Sequence, residues 1–543
     1  MNQALAPSVP ARPLHEDPRI HGRRWFLLAM MCLSLVLVVM SVSGLVTAIP
    51  TMQEQLHASA SQIQWILDAY AIVFAGSLLT AGALGDRFGR KRALLSGLVV
   101  FGLGAIVAGI ATGANQVIAG RAVMGIGAAF VMPATLSIIT TIFPPEERSR
   151  AIAVWAGFAG AGGAIGPIVS GALLERWWWG SAVLVNLPLV ALTFIAIWTF
   201  APESRDEAKT PLDPAGALLS LGGLGALVFA IIQGGENGFT SSSVIAAGVI
   251  AVVTLFAFIQ WERRSAHPML PVTLFEDRRL SIGSGVVSIS FFVLFGFFFL
   301  VTQYLQFARG YSPLEAGLAL LPLPIVFVVL SPGSAALATR FGAGRVMAAG
   351  LTIVAAGYVM LSRLTPGTSY LTLATALAVL GAGMSITAAP ATGEIMSAVP
   401  LSKAGVGSAV NDTTRELGAA LGVAVLGSIA NSAYRASINL SGLGLGASAR
   451  SQGEDSIGTA ARVAATAPGG AVVKTRAAAA FTDAFNVASA VSIGLALAAA
   501  VAVLILSRPR RDDSVEQYVE DFAEGHPELD FAVVPVGSGQ TSE

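Results

Sequence analysis

An acidic residue, Asp68, lies inside a long apolar stretch of the sequence that runs from Ile63 to Leu84. A carboxylate near the middle of a bilayer costs roughly 2.5–3.5 kcal/mol, so it is retained mainly where it has a task, and carrying a proton or another cation is the usual one. Trp65, one helical turn earlier, is a candidate for a cation–π contact, although most aromatic residues in such a stretch face lipid or core. Asp68 therefore predicts a proton or cation site within a membrane.

A short charged segment, Gly82–Arg92, follows this stretch. Asp86 is spaced to pair with Arg90 four residues later or to face a helix N-terminus, while Gly89 permits a turn or a close approach of two backbones. The segment predicts a cytoplasmic hinge between two membrane helices. The alternative is a set of basic residues that only fixes topology, which explains the arginines but not the aspartate.

Four more charged residues interrupt apolar stretches. Arg121 needs a partner inside a helix bundle, and Asp68 is one possible counter-charge. Arg121 predicts a role in proton relay or substrate orientation, and the alternative is a purely structural ion pair. Asp412 and Glu416 are four residues apart on one helical face, with Arg415 beside them. They predict a proton or substrate site, and the alternative is a salt-bridge cluster at the cytoplasmic edge.

Small residues recur in the fifth apolar stretch, which contains Gly162, Gly166, Pro167 and Gly171. Small residues spaced by four let two membrane helices pack backbone to backbone, and Pro167 frees a carbonyl group and allows a bend. Packing alone explains the glycines, but the order Gly-x-x-x-Gly-Pro-x-x-Ser-Gly is less common.

The composition excludes a soluble protein. The 543 residues are 54% hydrophobic and 12% charged, whereas soluble domains carry about 25% charged residues. The formal net charge is zero, which by itself says nothing about a nucleic-acid partner, and for a membrane protein we expect none. The single cysteine, Cys32, excludes an intramolecular disulfide. The HExxH, GxSxG and P-loop motifs are absent, so we predict no metal, no cofactor and no enzymatic activity.

Fourteen apolar stretches approach or exceed the roughly 20 residues that span a bilayer. An even number puts both termini on one side, and a cytoplasmic N-terminus leaves most of the 32 Lys and Arg residues in cytoplasmic loops. We therefore predict a multi-pass protein of the plasma (inner) membrane with both termini cytoplasmic. The predicted spans are 26–49, 62–84, 93–113, 116–141, 151–174, 181–200, 214–233, 242–261, 280–306, 315–338, 346–364, 370–394, 404–433 and 484–507.

A weak internal repeat divides these spans. Arg340 stands in an Arg-Phe-Gly sequence like the one that begins at Arg87, so spans 1–6 and 9–14 are predicted to form two similar halves with a substrate site between them. The predicted parts are an N-terminal tail (1–24), a six-helix bundle (25–200), two linker helices (201–279), a second six-helix bundle (280–507) with a long outer loop (434–483), and a C-terminal tail (508–543).

These motifs together resemble those of the major facilitator superfamily. The order in the fifth stretch resembles its antiporter motif, Gly82–Arg92 resembles its loop between spans 2 and 3, and Arg121 with Gly125 resembles its span 4 motif. Fourteen spans narrow the resemblance to the fourteen-span drug:proton antiporter family. Three segments are similar to its quaternary-ammonium multidrug exporters: 65–70, 179–188 and 411–418.

The resemblance implies an all-α polytopic membrane protein with the major facilitator fold and fourteen transmembrane helices arranged 6 + 2 + 6. It puts proton or cation handling on Asp68 and Asp412, with Glu416 less firmly matched, and an outward-side seal between the halves on the small residues of span 5. It puts the inward gate on Asp86, Arg87, Gly89 and Arg90, with Arg340 at the equivalent place in the second half. Ser41 stands where the family usually has an acid in span 1, which leaves the preference for dicationic substrates and the proton stoichiometry open.

The sequence thus predicts proton-coupled efflux of amphipathic, mainly cationic drugs by alternating access. Burial raises the pKa of a carboxyl group and a nearby cation lowers it, so an arriving cationic drug can expel a proton. The expected partners of a monomeric protein are small-molecule substrates, protons and the lipid bilayer. Two alternatives stay open: export of an endogenous metabolite or lipid by the same cycle, and a membrane receptor or enzyme.

Overall fold

The structure is a computed structural model that describes residues 14–206, 211, 213–467 and 469–507, and within these ranges the chain forms helices and connections without a β-strand. The predicted tails lie partly (1–24) or wholly (508–543) outside the described residues. The helices of the first part of the chain are α1 (Pro18–Leu56), α2 (Ala60–Phe88), α3 (Arg90–Gly109), α4 (Ala114–Ile142), α5 (Pro145–Leu174), α6 (Ser181–Leu184) and α7 (Asn186–Phe200).

Two linker helices and a second set of helices follow. The linker helices are α8 (Pro214–Asn237) and α9 (Ser242–Arg264). The second set consists of α10 (Arg278–Gln303), α11 (Pro313–Ala319), α12 (Pro322–Phe341), α13 (Ala343–Leu361), α14 (Tyr370–Ser397), α15 (Ala404–Ser437), α16 (Ala447–Asp455), α17 (Ile457–Thr466) and α18 (Gly470–Leu506). Short 3-10 turns occupy Leu14–Glu16, Val272–Glu276 and Leu401–Lys403, and a π-helical segment, Tyr304–Ala308, extends α10.

Thirteen of the described helical segments are long and apolar enough to cross a membrane. The predicted fifth span lies on α5, a helix of 30 residues in which the shorter segment Ile165–Leu174 is apolar. Large apolar side chains remain exposed on the outside, for example Val252 on α9 at 69% and Leu371 on α14 at 76%. Such surfaces suit contact with lipid, so the chain is a multi-pass membrane protein.

Two predicted spans are interrupted. The span 181–200 is divided into α6 and α7, and the span 315–338 into α11 and α12. Pro322 begins α12, and because proline has no N–H it fits the first turn of a helix but not its interior. A proline inside an apolar stretch therefore marks a new helix here, which hydrophobicity alone did not indicate.

The outer loop is shorter and more ordered than the predicted segment 434–483. Helix α15 continues to Ser437, and α18 already begins at Gly470. Between them, α17 buries Ile457, Ala460 and Val463, which lie on one face at helical spacing.

Side-chain packing follows the two halves. One core contains buried residues of α1 to α7 such as Phe101 and Trp155, and another contains residues of α10 to α18 such as Phe297 and Phe485. A smaller core joins the linker helices to α2 and α15, and it includes Leu79, Leu224, Phe258 and Val410. The exact domain boundaries given above stay a prediction.

Candidate functional site

The charged segment between α2 and α3 binds the beginning of α15. Asp86 is buried, and its carboxylate accepts hydrogen bonds from Arg90 Nε at 2.9 Å and from the backbone N–H groups of Gly405 and Val406 at 2.8 and 3.0 Å. These N–H groups belong to the first turn of α15, where unpaired N–H groups and the helix dipole favour an anion. Asp86 therefore connects the first half to the second, in the manner proposed for a gate.

Arg90 completes this connection. Its Nη2 donates to the carbonyl oxygens of Leu401 and Ser402 at 2.6 and 3.2 Å, and the side chain is only 2% exposed. Gly82 faces Gly405 so closely that a Cβ on Gly82 would lie 2.5 Å from the Gly405 carbonyl oxygen. We call this set of contacts the gate latch; it closes the predicted cytoplasmic end between the two halves.

The chain that leaves the first bundle also joins the latch, which was not predicted from the sequence. The Asp206 N–H donates to the Asp86 carbonyl at 2.7 Å, and the Arg90 N–H donates to the Ser204 carbonyl at 2.9 Å.

Gly89 forms the turn between α2 and α3. With φ 118°, it adopts a backbone conformation that favours glycine.

The two remaining arginines predicted for the gate, Arg87 and Arg340, each lie over the aromatic ring that follows them in the chain. Arg87 is half-buried with its guanidinium 5.4 Å from the Phe88 ring centroid. Arg340 is exposed and lies over its own neighbour, Phe341, at 5.2 Å. The repeated Arg-Phe-Gly sequence thus does not create a matching latch, because no acid like Asp86 precedes Arg340.

Arg121 is buried in the first half, and its partner is aromatic. Its guanidinium carbon lies 4.2 Å from the centroid of the Tyr70 ring, and its Nε donates to the Ile66 carbonyl at 3.3 Å. The structure does not bring Arg121 into an ion pair with Asp68, which was the suggested counter-charge. Residues 68 and 70 are two positions apart on α2, and side chains at this spacing point in nearly opposite directions from a helix.

Asp68 faces the linker helix α8 instead. Its Oδ2 accepts a hydrogen bond from Gln233 Nε2 at 3.2 Å, and Asp68 is 6% exposed. Trp65 lies on the same face of α2, with its ring 6.0 Å from that of Phe229 on α8, and is 40% exposed. Gln233 was not among the residues predicted from the sequence, although a lone amide in an apolar helix was a signal for it.

Asp412 on α15 is completely buried. Its Oδ1 lies 3.5 Å from Arg415 Nη1 and accepts a hydrogen bond from Asn411 Nδ2 at 3.2 Å, while its Oδ2 has no hydrogen-bond partner among the described residues. Asp412 is about 12 Å along α15 from Ala404 at 1.5 Å per residue, and its side chain is 0% exposed. A solvated salt bridge at the cytoplasmic edge does not fit this burial.

Arg415 connects this acid with the first half of the molecule. Its guanidinium carbon lies 5.4 Å from the ring centroid of Trp155 on α5 and 4.5 Å from that of Phe291 on α10. The Trp155 indole N–H donates to Thr135 Oγ1 at 3.2 Å, which fixes the ring. Arg415 is therefore held by aromatic faces from both halves.

Polar residues from four helices meet here. The Tyr70 hydroxyl group lies near Ser41, Arg121 and Glu416, and among the described residues it has no hydrogen-bond partner. Glu416 is half-buried by its accessible surface. We call the following residues the central cluster: Ser41, Tyr70, Arg121, Asp412, Arg415 and Glu416. It combines acids, guanidinium groups and aromatic faces at the junction of the halves, a set suited to exchanging protons and organic cations.

The small residues of α5 contact two different helices, α1 and α11. The Cβ directions of Gly162 and Gly166 point at α1, where a Cβ on Gly166 would lie 2.6 Å from the Gly44 nitrogen. These two glycines thus permit close packing within the first half and do not face the second. Pro167 and Gly171 approach α11, as Gly317 and Leu314 lie next to them, so only this part of the motif lies where a seal between halves was predicted.

No group of three or more His, Cys, Asp or Glu side chains with metal-binding geometry occurs among residues 14–206, 211, 213–467 and 469–507. The expectation that the protein uses neither a metal nor a cofactor stays a prediction.

Known proteins are similar to this chain in sequence and in fold. Residues 31–423 match the sequence profile of the Major Facilitator Superfamily. The chain is 35% identical to the multidrug efflux pump LfrA of Mycolicibacterium smegmatis, over 83% of this chain and 89% of that protein. It is 32% identical to the methyl viologen resistance protein SmvA of Salmonella typhimurium, over 82% and 90%. The solved structure of the human organic anion transporter MFSD10 (TETRAN) superposes with a TM-score of 0.57 at 14% identity, over 89% of this chain and 100% of that chain, which shows a common fold.

Proposed function

The chain belongs to the major facilitator superfamily and is a membrane transporter rather than an enzyme, and we propose that it exports amphipathic, mainly cationic drugs in exchange for protons. The predicted all-α membrane fold and the predicted membership of the major facilitator superfamily are confirmed by these relationships, while the fourteen-span family stays a prediction. The drug class, the coupling to protons and the site residues are the proposal.

The observation that carries the proposal is the unpaired oxygen of Asp412. A buried acceptor without a donor costs about 1–3 kcal/mol, and Asp412 Oδ2 is such an atom at the junction of the two halves. A proton bound there removes the charge of the buried carboxylate. We therefore infer that Asp412 alternates between a protonated and a charged state.

The aromatic faces around Arg415 explain how a drug enters this exchange. Trp155 and Phe291 already hold a guanidinium group through cation–π contacts. An organic cation that displaces Arg415 would find the same faces and the Asp412 carboxylate, and its positive charge would favour release of the proton. Proton and drug then compete for one site, which is the simplest form of antiport.

Asp68 provides a second protonatable group in this scheme, at the interface with α8. One proton exchanged for one monovalent cation moves no net charge, so the membrane voltage does not contribute. A second proton adds one charge, worth roughly 2.3 kcal/mol per 100 mV. In each cycle the gate latch at Asp86 must break for the site to open towards the cytoplasm.

Names of relatives support drug efflux without fixing one drug class. They include a puromycin resistance protein from Streptomyces alboniger and a tetracenomycin C resistance and export protein from Streptomyces glaucescens. Export of an endogenous compound remains the alternative, and accumulation assays on a drug panel with and without a protonophore separate the two.

The test is drug-induced proton release from purified protein, with tetraphenylphosphonium as the lipophilic cation. We expect wild type to release protons, and Asp412→Asn to release fewer and to lose coupled export in proteoliposomes. Asp68→Asn is expected to lose coupled export as well. Glu276→Gln, at an exposed acid, is the matched control and should behave as wild type.

Unchanged proton release and unchanged export in Asp412→Asn would refute the assignment of this residue. If both single variants and the double variant keep full export, proton exchange at these acids is wrong altogether.

A further inference from the structure

Another buried acid, Glu262, lies at the end of linker helix α9, away from the central cluster. Glu262 is 3% exposed, whereas its neighbours Trp261, Arg263 and Arg264 on the last turn are exposed. Its Oε2 accepts a hydrogen bond from the Leu270 N–H at 3.1 Å, and within the part of the chain that the structure describes its Oε1 has no hydrogen-bond partner. A carboxyl group this buried requires compensation.

Asp213, which caps the N-terminus of α8, shows the same asymmetry. Its Oδ1 accepts hydrogen bonds from the Gly216 N–H and from the Trp261 indole N–H, both at 2.8 Å. Its Oδ2 is buried and has no partner. Each acid thus uses one oxygen and leaves the other unpaired.

The two unpaired oxygens face each other across Gly216. A Cβ on Gly216 would lie 2.5 Å from Asp213 Oδ2 and 2.7 Å from Glu262 Oε1, and the two carboxyl groups are within hydrogen-bonding reach. Two adjacent carboxylates repel each other and neither can donate, whereas a single proton shared between them gives both oxygens a partner.

We propose that Asp213 and Glu262 form a proton-binding pair that holds α8 and α9 together at the gate end while protonated and loosens them when the proton leaves. Charged groups from other elements lie close to the pair, and Asp86, Arg87 and Asp206 line the same cavity as Asp213. Lys403, in the turn before α15, acts on Glu262 from the second half. His267 in the connection after α9 is exposed, as are Arg263 and Arg264 on α9 itself.

A cavity reaches from Asp213 to the gate latch. It has a volume of about 220 Å³, and its lining includes Asp213, Asp86, Arg87, Asp206 and Lys403. Loosening of α8 at this point would act directly on the packing that joins the linker helices to α2 and α15. The pair therefore makes docking of the linker helices sensitive to cytoplasmic pH, with docking favoured at lower pH.

Infrared difference spectroscopy of the full-length protein in lipid nanodiscs tests the shared proton, because a protonated carboxyl group has a resolvable C=O stretch. We expect a wild-type band that disappears as the pH rises, that is missing in Glu262→Gln and in Asp213→Asn, and that persists in the control Glu276→Gln. Gly216→Ala keeps both acids but forces them apart, so it should alter this band as well.

Spin labels on exposed positions of α8 and α9, Leu218 and Phe256, measure the docking. We expect their separation to increase with pH in wild type and to be independent of pH in Glu262→Gln. An unchanged carboxyl band in both acid variants, or a separation that ignores pH in wild type, would overturn the proposal. Neither measurement depends on transport, so a failure here is distinct from a failure of the proposed antiport.

Discussion

Replacing Asp86 with asparagine should open the predicted cytoplasmic end. The Asp86 carboxylate binds Arg90 within the first half and two backbone N–H groups of α15. The contacts with α15, and the burial of this ion pair between the halves, exist only while the halves are together. The variant keeps one acceptor oxygen but loses the charge. Arg90, itself 2% exposed, is then left without its anionic partner.

The size of the shift between the closed and open forms follows from the burial of the Asp86–Arg90 ion pair. Removing one partner of a buried ion pair costs roughly 3–5 kcal/mol, and because asparagine still accepts a hydrogen bond we take about 3 kcal/mol. At 1.4 kcal/mol for each factor of ten, the ratio of closed to open forms should fall roughly a hundredfold.

Spin labels at Phe88 and Leu401 report this equilibrium. Both positions are exposed, at 50% and 47%, and they lie on opposite sides of the latch. We expect one short distance in the parent protein and a dominant longer distance in Asp86→Asn. Arg92→Gln is the control, because Arg92 pairs with Glu203 at 3.6 Å from a side chain that is 72% exposed, and such pairs contribute at most about 1 kcal/mol. Equal distance distributions in the two variants would refute the role of the latch.

Three further predictions concern other contacts. Gln233→Leu should reduce drug export at least tenfold if its hydrogen bond positions Asp68, and adding it to Asp68→Asn should cause no further loss, because the two residues act as a unit. Gly97→Val should lower the free energy of unfolding by about 1–3 kcal/mol through overpacking against α4, whereas Gly248→Val, which has open space, should not; thermal unfolding in detergent measures both. Trp155→Phe should cost about 1 kcal/mol in the same assay through loss of its indole hydrogen bond.

Local features of the site could be predicted from the sequence. The i,i+4 spacing of Asp86 and Arg90 indicated their ion pair, and the gate segment lies at a helix N-terminus, as one interpretation of Asp86 required. The charges of α15 indicated a cluster. In each case the interacting residues are close in the chain, or the physical cost of a charge in an apolar helix is itself the signal.

Contacts between distant helices could not be predicted in this way. The pairing of Asp68 with Gln233 depends on which face of α2 the linker helix covers, and a hydrophobic pattern that is apolar all round does not specify a face. For the same reason the pair formed by Asp213 and Glu262 could not be predicted, since α8 and most of α9 lie between them in the chain. From the sequence alone, Arg121 was as plausible a partner for Asp68 as Gln233.

The binding of residues 203–206 to the gate latch has a practical consequence for producing the transporter as two polypeptides. Because the Asp206 N–H and the Ser204 carbonyl pair with α2 and α3 residues, this short strap belongs structurally to the N-terminal fragment. A split placed just after Asp206 would keep the strap bonded within that fragment, whereas a split before Glu203 would transfer it to the other chain and make reassembly depend on recapturing it.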